Sequence, residues 1–229
     1  MDDVEVANLS DQVQSTGIAG PKAGDVLRSA GFEIPPLESL QFADLKWQDA
    51  TVTIVRGDHP GVEWYELWLA PQQLPALRDA LTQAGAKPVG AAAQELLRIA
   101  EGIPRYGQDI RERDLPQETS QDRALHFSKG CYVGQEIVER IRSRGAVHRK
   151  FAGFEVKGSL PAPGTKVQAE GKDIGEITSA TSLPVKDGER HVAIGYIRRE
   201  FASGRQVQAG GAELTVTNLP FAGIFSPRN

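Results

Sequence analysis

The 229-residue chain has a single cysteine, a single methionine and no apolar run approaching the roughly 20 residues that a membrane-crossing helix needs. One cysteine excludes an internal disulfide, and it excludes an iron-sulfur cluster held by four cysteines of one chain. The start, Met1-Asp2-Asp3-Val4-Glu5, is acidic and lacks the basic and apolar regions of a secretory signal, so the expected compartment is the cytoplasm, with no membrane partner. An excess of positive charge is also missing. With 26 Lys and Arg against 30 Asp and Glu the formal charge is -4, which argues against direct nucleic-acid binding. No glycine-rich loop has the spacing of a phosphate loop or a dinucleotide fingerprint. His59, His126 and His191 are isolated from one another and from the cysteine, so no zinc spacing exists. No low-complexity tract or internal repeat is visible.

What is present is an apolar fraction of 40%, enough for at least one core, distributed with two different periods. In the first half, Gly20-Pro21 opens a segment with Ala23, Val26, Leu27 and Ala30 on one helical face, and Gly31 closes it. Leu74, Leu77, Leu81 and Ala84 repeat the helical spacing. So do Val89, Ala93, Leu96, Leu97 and Ala100, ending at Gly102. Residues 41–47, 51–55 and 62–69 are rich in β-branched and aromatic side chains and are predicted strands. This order predicts an α+β fold with an antiparallel sheet. After Phe151 the helical period gives way to short alternating runs, at 151–156, 165–169, 173–180, 191–197 and 213–218. Glycines and Pro163-Gly164 punctuate them, as expected of a small C-terminal β-barrel. The expected division is an α+β domain over 1–108, a polar connector with a short helix over 109–150, and a barrel over 151–229.

The connector holds the octapeptide Lys129-Gly130-Cys131-Tyr132-Val133-Gly134-Gln135-Glu136, which sets the one thiol just before an expected helix start. Unpaired N–H groups and the positive end of the helix dipole favour a thiolate there, and Lys129 adds a charge two residues away. Cys131 is therefore a candidate nucleophile tuned by Lys129. A lone cysteine is equally consistent with a small buried hydrophobe.

The octapeptide resembles the signature KGCYxGQE of the YgfZ family, folate-binding relatives of the glycine-cleavage T-protein (aminomethyltransferase) that support iron-sulfur enzymes. The likeness extends through residues 97–107, Pro116, Glu118, Arg144-Gly145, Arg149 and residues 151–156. It implies an α+β domain followed by a barrel, tetrahydrofolate as cofactor, and a role in assembling or repairing clusters in other enzymes, including those that modify tRNA. Folate and iron-sulfur proteins or their assembly factors are the implied partners. Gly130, Tyr132, Gly134, Gln135 and Glu136 would then shape the site around Cys131. Glu66 falls where T-proteins place a glutamate that hydrogen-bonds the pterin. An ionised carboxylate suits that role because it accepts a bidentate pair from an aminopyrimidine edge. Without the resemblance Glu66 reads as an exposed strand residue. Its neighbour Tyr65 is a second candidate ligand, and Trp64 and Trp68 offer rings to stack on a flat heterocycle.

The stretch Arg140, Arg142, Arg144, His148, Arg149 and Lys150 is basic enough to receive a polyglutamate tail or phosphate, or to form a solvated helix end. Two departures from the family bear on activity. The segment beginning Asp3-Val4-Glu5-Val6 resembles the end of the family's first domain, so the T-protein's catalytic aspartate has no counterpart here. Gln94 stands where T-proteins use an arginine to hold folate, which counts against aminomethyl transfer. That activity and a non-catalytic scaffold remain the alternative readings.

Overall fold

The computed structural model describes residues 3–145, 147–186, 188–201 and 203–224. It divides into two compact units, Met1–Val89 and Gly90–Ser226.

In the first unit β1 (Gln14–Ala19), α1 (Ala23–Ser29), β2 (Phe42–Trp47), β3 (Ala50–Arg56), β4 (Trp64–Leu69) and α2 (Leu74–Gln83) follow in order. The strands form one antiparallel sheet in the order β1-β4-β3-β2. Period-2 alternation drives one face inward: Val52 and Ile54 of β3 and Leu67 of β4 are fully buried, with Ile18, Tyr65 and Leu69 beside them. Helical spacing brings Leu27 of α1 and Leu77 and Leu81 of α2 onto that face. Each such aliphatic side chain contributes about 1.5–3 kcal/mol by leaving water. Trp47 donates its indole N–H to the Ala30 carbonyl at 2.8 Å and stacks on Phe32, tying the end of β2 to the end of α1.

The second unit opens with α3 (Ala91–Glu101), continues through an irregular segment to α4 (Gln135–Arg144), and ends in β5 (Arg149–Lys157), β6 (Lys166–Ala169), β7 (Lys172–Val185), β8 (Gly188–Arg198), β9 (Gln206–Ala209) and β10 (Ala212–Thr217). The strands close as β10-β5-β8-β7-β6-β9. The barrel's crossing of β7 and β8 depends on two glycines. A Cβ on Gly175 would lie 2.2 Å from the Tyr196 carbonyl oxygen, and one on Gly195 would lie 2.2 Å from that of Glu176. Helix α3, whose spacing groups it with the residues before 108, instead buries Ile99 and Ala100 among Phe151, Val192, Ile194, Tyr196 and Phe221 of the barrel unit. The unit boundary thus falls before α3.

A repeat does exist in this unit, contrary to the reading of the sequence alone. Gly164-Thr-Lys-Val-Gln-Ala-Glu-Gly171 and Gly204-Arg-Gln-Val-Gln-Ala-Gly-Gly211 occupy equivalent hairpins. Gly164 N–H donates to Ile177 O at 2.7 Å and Gly204 N–H to Val216 O at 2.7 Å. The two copies meet antiparallel, with Gln168 opposite Gln208.

The segment between α3 and α4 is fixed by buried charge. Asp109, fully buried, accepts from the Arg98 guanidinium at 2.7 Å, the Arg105 N–H at 2.9 Å, and the hydroxyls of Thr178 and Ser179 at 2.5 and 2.7 Å. The Arg149 guanidinium of β5 reaches Asp114 at 2.8 Å and Glu118 at 2.7 Å and lies over the Tyr196 ring. Hydrogen bonding by Glu118, with Asp114 adding to it against the cost of burial, holds the Arg149 charge above its ordinary pKa.

Candidate functional site

On β4, Trp64, Glu66 and Trp68 face away from the first unit's core, as alternation requires. Glu66 is half-buried, paired across the sheet with Gly17 on one side and Val55 on the other. Its Oε2 accepts a hydrogen bond from the Trp68 indole N–H at 3.0 Å. Phe42, opposite Val55, is exposed and adds a third ring to this face.

The Trp64 ring leans over β1, where a Cβ on Gly17 would sit 2.8 Å from its Cζ2. Gly57 is equally constrained, its Cβ falling 2.6 Å from Trp64 Cδ1. The His59 ring stacks on Trp64 at 4.2 Å between centroids, nearly parallel. The Trp64 indole Nε1 is buried and has no hydrogen-bond partner among the described residues. The space over Gly17 is taken by the Trp64 ring, and the orphaned Trp64 donor calls for an acceptor; the Glu66 carboxylate, two residues from each indole on one face, suits a flat heterocycle that presents N–H donors along an edge. Tetrahydrofolate carries such an edge, so these residues fit the group.

Tyr65 does not join this face. Its side chain is part of the core, and its hydroxyl donates to Glu63 Oε1 at 3.0 Å. Burial, followed by that contact with Glu63, raises its pKa. The correction follows from the strand itself: adjacent residues point to opposite faces, so Tyr65 and Glu66 cannot both line one site.

The cysteine loop belongs to the second unit, and Cys131 is exposed. Helix α4 begins at Gln135, after Gly134 turns the chain with φ 90°. Cys131 therefore precedes the first turn rather than joining it. Gln135 closes that turn on Tyr132: its side-chain Oε1 accepts from the Tyr132 N–H at 3.2 Å, and its own N–H donates to the Tyr132 carbonyl at 3.3 Å. Lys129 Nζ lies 4.8 Å from the Tyr132 ring centroid. Glu136 is exposed in the first turn of α4, where its charge favours the dipole. Gly130 is exposed with open space around its Cα. Beside the loop, Phe127, Lys129, Tyr132, Gln135, Glu136 and Arg140 help line an open pocket of about 470 Å³. The thiol does not line it.

Two members of the basic stretch are committed elsewhere. Arg149 is held by Asp114 and Glu118, and Arg142 lies over the Phe127 ring and 3.4 Å from Glu139. Gln94 is exposed on α3. The feature that sequence reasoning missed is the link of Trp68 to Glu66, together with the Gly17–Trp64–His59 packing. The i, i+2 spacing of Trp64, Glu66 and Trp68 was the available signal, because it puts all three on one face.

An antiparallel sheet with helices, followed by a closed six-stranded barrel, is the fold that the glycine-cleavage T-proteins share. The glycine cleavage system aminomethyltransferase T of Bartonella henselae superposes with a TM-score of 0.73 at 26% identity, over 92% of this chain and 60% of that one. The GCVT N-terminal domain model matches residues 1–129, and the CAF17 C-terminal beta-barrel domain model matches residues 148–222. The chain belongs to the YgfZ/CAF17 family of folate-binding relatives of the glycine-cleavage T-protein. An aminomethyltransferase of Caldanaerobacter subterraneus subsp. tengcongensis is 26% identical over 99% of this chain, and one of Rubrobacter xylanophilus is 29% identical over 90%. The chain spans 60% of the first relative's length and 55% of the second's. Among the described residues, no helix is long and apolar enough to cross a membrane.

Proposed function

We propose that the chain is a tetrahydrofolate-binding protein that supports the assembly or repair of iron-sulfur clusters in other enzymes, including those that modify tRNA. The observation that carries the reading is the exposed Cys131, presented on the family's signature loop and ordered by the Tyr132–Gln135 hydrogen bonds. A core cysteine would be enclosed by apolar neighbours; this thiol is open to a macromolecular partner. Glu66 would read the pterin edge through its carboxylate, with Trp64 and Trp68 beside it. When bound, the reduced folate supplies one-carbon and redox chemistry; the residues of this chain bind and orient it.

Aminomethyl transfer is the activity named for the relatives. Here the exposed Gln94 lacks the charge that would anchor a folate carboxylate, and a T-protein reaction has no use for the exposed thiol. The test is complementation of cells lacking the gene, read as the activity of iron-sulfur enzymes. Wild-type protein should restore it and Cys131→Ser should not, at equal abundance and with unchanged folding. Full rescue by Cys131→Ser would remove the thiol from the function.

A further inference from the structure

The carboxylate proposed to meet the pterin has one oxygen already engaged. Trp68, two residues along β4 on the same face, donates its indole N–H to Glu66 Oε2 at 3.0 Å. An indole is a donor only, so whatever atom faces it must accept. An ionised carboxylate satisfies this with one oxygen and keeps acceptor capacity on both oxygens for a ligand. An amide in the same place cannot. Its oxygen would be drawn to the indole, leaving the NH₂ outward, where it would oppose a ligand that presents N–H donors.

We propose that Trp68 is a positioning residue of the folate site: it fixes the Glu66 carboxylate as an acceptor and so selects ligands with a donor–donor edge such as an aminopyrimidine. The inference rests on the folate reading. It has a consequence that ring packing by Trp68 would not produce, a coupling of defined sign between the two positions. With Trp68 in place, Glu66→Gln turns a donor toward the ligand. With Trp68→Phe, which keeps a ring and removes the N–H, the amide can rotate and offer its oxygen. The second substitution then partly rescues the first.

The experiment is a double-substitution cycle on the full chain, using 5-formyltetrahydrofolate as the probe and quenching of indole fluorescence as the readout. All three tryptophans, Trp47, Trp64 and Trp68, lie in the first unit, so the signal reports the proposed site's own unit. Trp68→Phe alone should weaken binding roughly three- to tenfold, the range of one ordinary net hydrogen bond, since the lost bond is exposed and acts through Glu66. Glu66→Gln should cost more in the presence of Trp68 than in the Trp68→Phe background. Additive losses, or Glu66→Gln costing more without Trp68, would overturn the proposal. A second arm needs no ligand: the Trp68 indole ¹H–¹⁵N resonance should move on Glu66→Ala. If the wild-type chain binds no folate, the folate reading falls. An indole resonance that moves would then leave the Trp68–Glu66 coupling standing, and a static one would sink that coupling as well.

Discussion

Arg149→Met probes the buried charges that fix the connector. The guanidinium is the bridge between Asp114 at 2.8 Å and Glu118 at 2.7 Å, and Met keeps most of the aliphatic stem over Tyr196 while removing the charge. The Asp114 side chain is fully buried, and its remaining cation is Arg111 at 3.3 Å. Removing one partner of a buried pair costs about 3–5 kcal/mol, because the other charge is left uncompensated. The Arg149 side chain is 31% exposed, so water screens part of the loss, and about 3 kcal/mol is expected at pH 7.

The pH dependence has a definite sign. Asp114 titrates below its ordinary value: burial pushes it up, but the Arg111 N–H and the Arg149 and Arg111 guanidinium groups outweigh burial. A depressed carboxyl stabilises the fold above its unfolded pKa of about 3.9, and that contribution is lost as pH falls through the folded value. Arg149→Met gives up part of that contribution. Its penalty should be largest near neutrality and shrink only as the pH falls below about 4, through the depressed folded value of Asp114. Urea denaturation at pH 7 and at about pH 2.5, below the unfolded carboxyl value, followed by amide exchange protection of β5 and β8, measures it. A loss under 1 kcal/mol at pH 7, or one that does not change with pH, would refute the reasoning.

Asp109→Ala should destabilise the barrel unit by about 3–5 kcal/mol, since Arg98 and the Thr178 and Ser179 hydroxyls lose a common partner; thermal denaturation checks this. Gly17→Val should displace the Trp64 ring from β1, at a cost of about 1–3 kcal/mol from overpacking, and weaken folate binding. The Trp64 indole resonance and a binding titration read the two effects separately.

The elements that carry strong periodicity were legible in the sequence. Residues 51–55 of the predicted strand lie within β3, and the Leu77 and Leu81 spacing gave α2. Strand β9, Gln-Val-Gln-Ala, was missed although β6, Lys-Val-Gln-Ala, was predicted, because the repeat that relates the two was not recognised. That α3 packs with the barrel unit was not legible for a different reason. An amphipathic face records that a helix packs, and not against what. The ionic clusters were invisible for the same reason, since Asp109 meets Thr178 and Ser179, and Arg111 meets Glu176, across long stretches of chain. In the candidate site, Glu66 came from resemblance and the structure set it between two indoles. The Tyr65 assignment failed on strand alternation, which was available from the sequence.

The claim shared by the proposed function and the Trp68 inference, a folate site built on Glu66, is tested most directly by calorimetric titration of the wild-type and Glu66→Gln proteins with 5-formyltetrahydrofolate. The account predicts binding by the wild type and a loss of about 1.5–3 kcal/mol in the variant, the scale of a hydrogen bond to a charged group, with the fold unchanged. No binding by the wild type, or equal affinity in the two proteins, would contradict it.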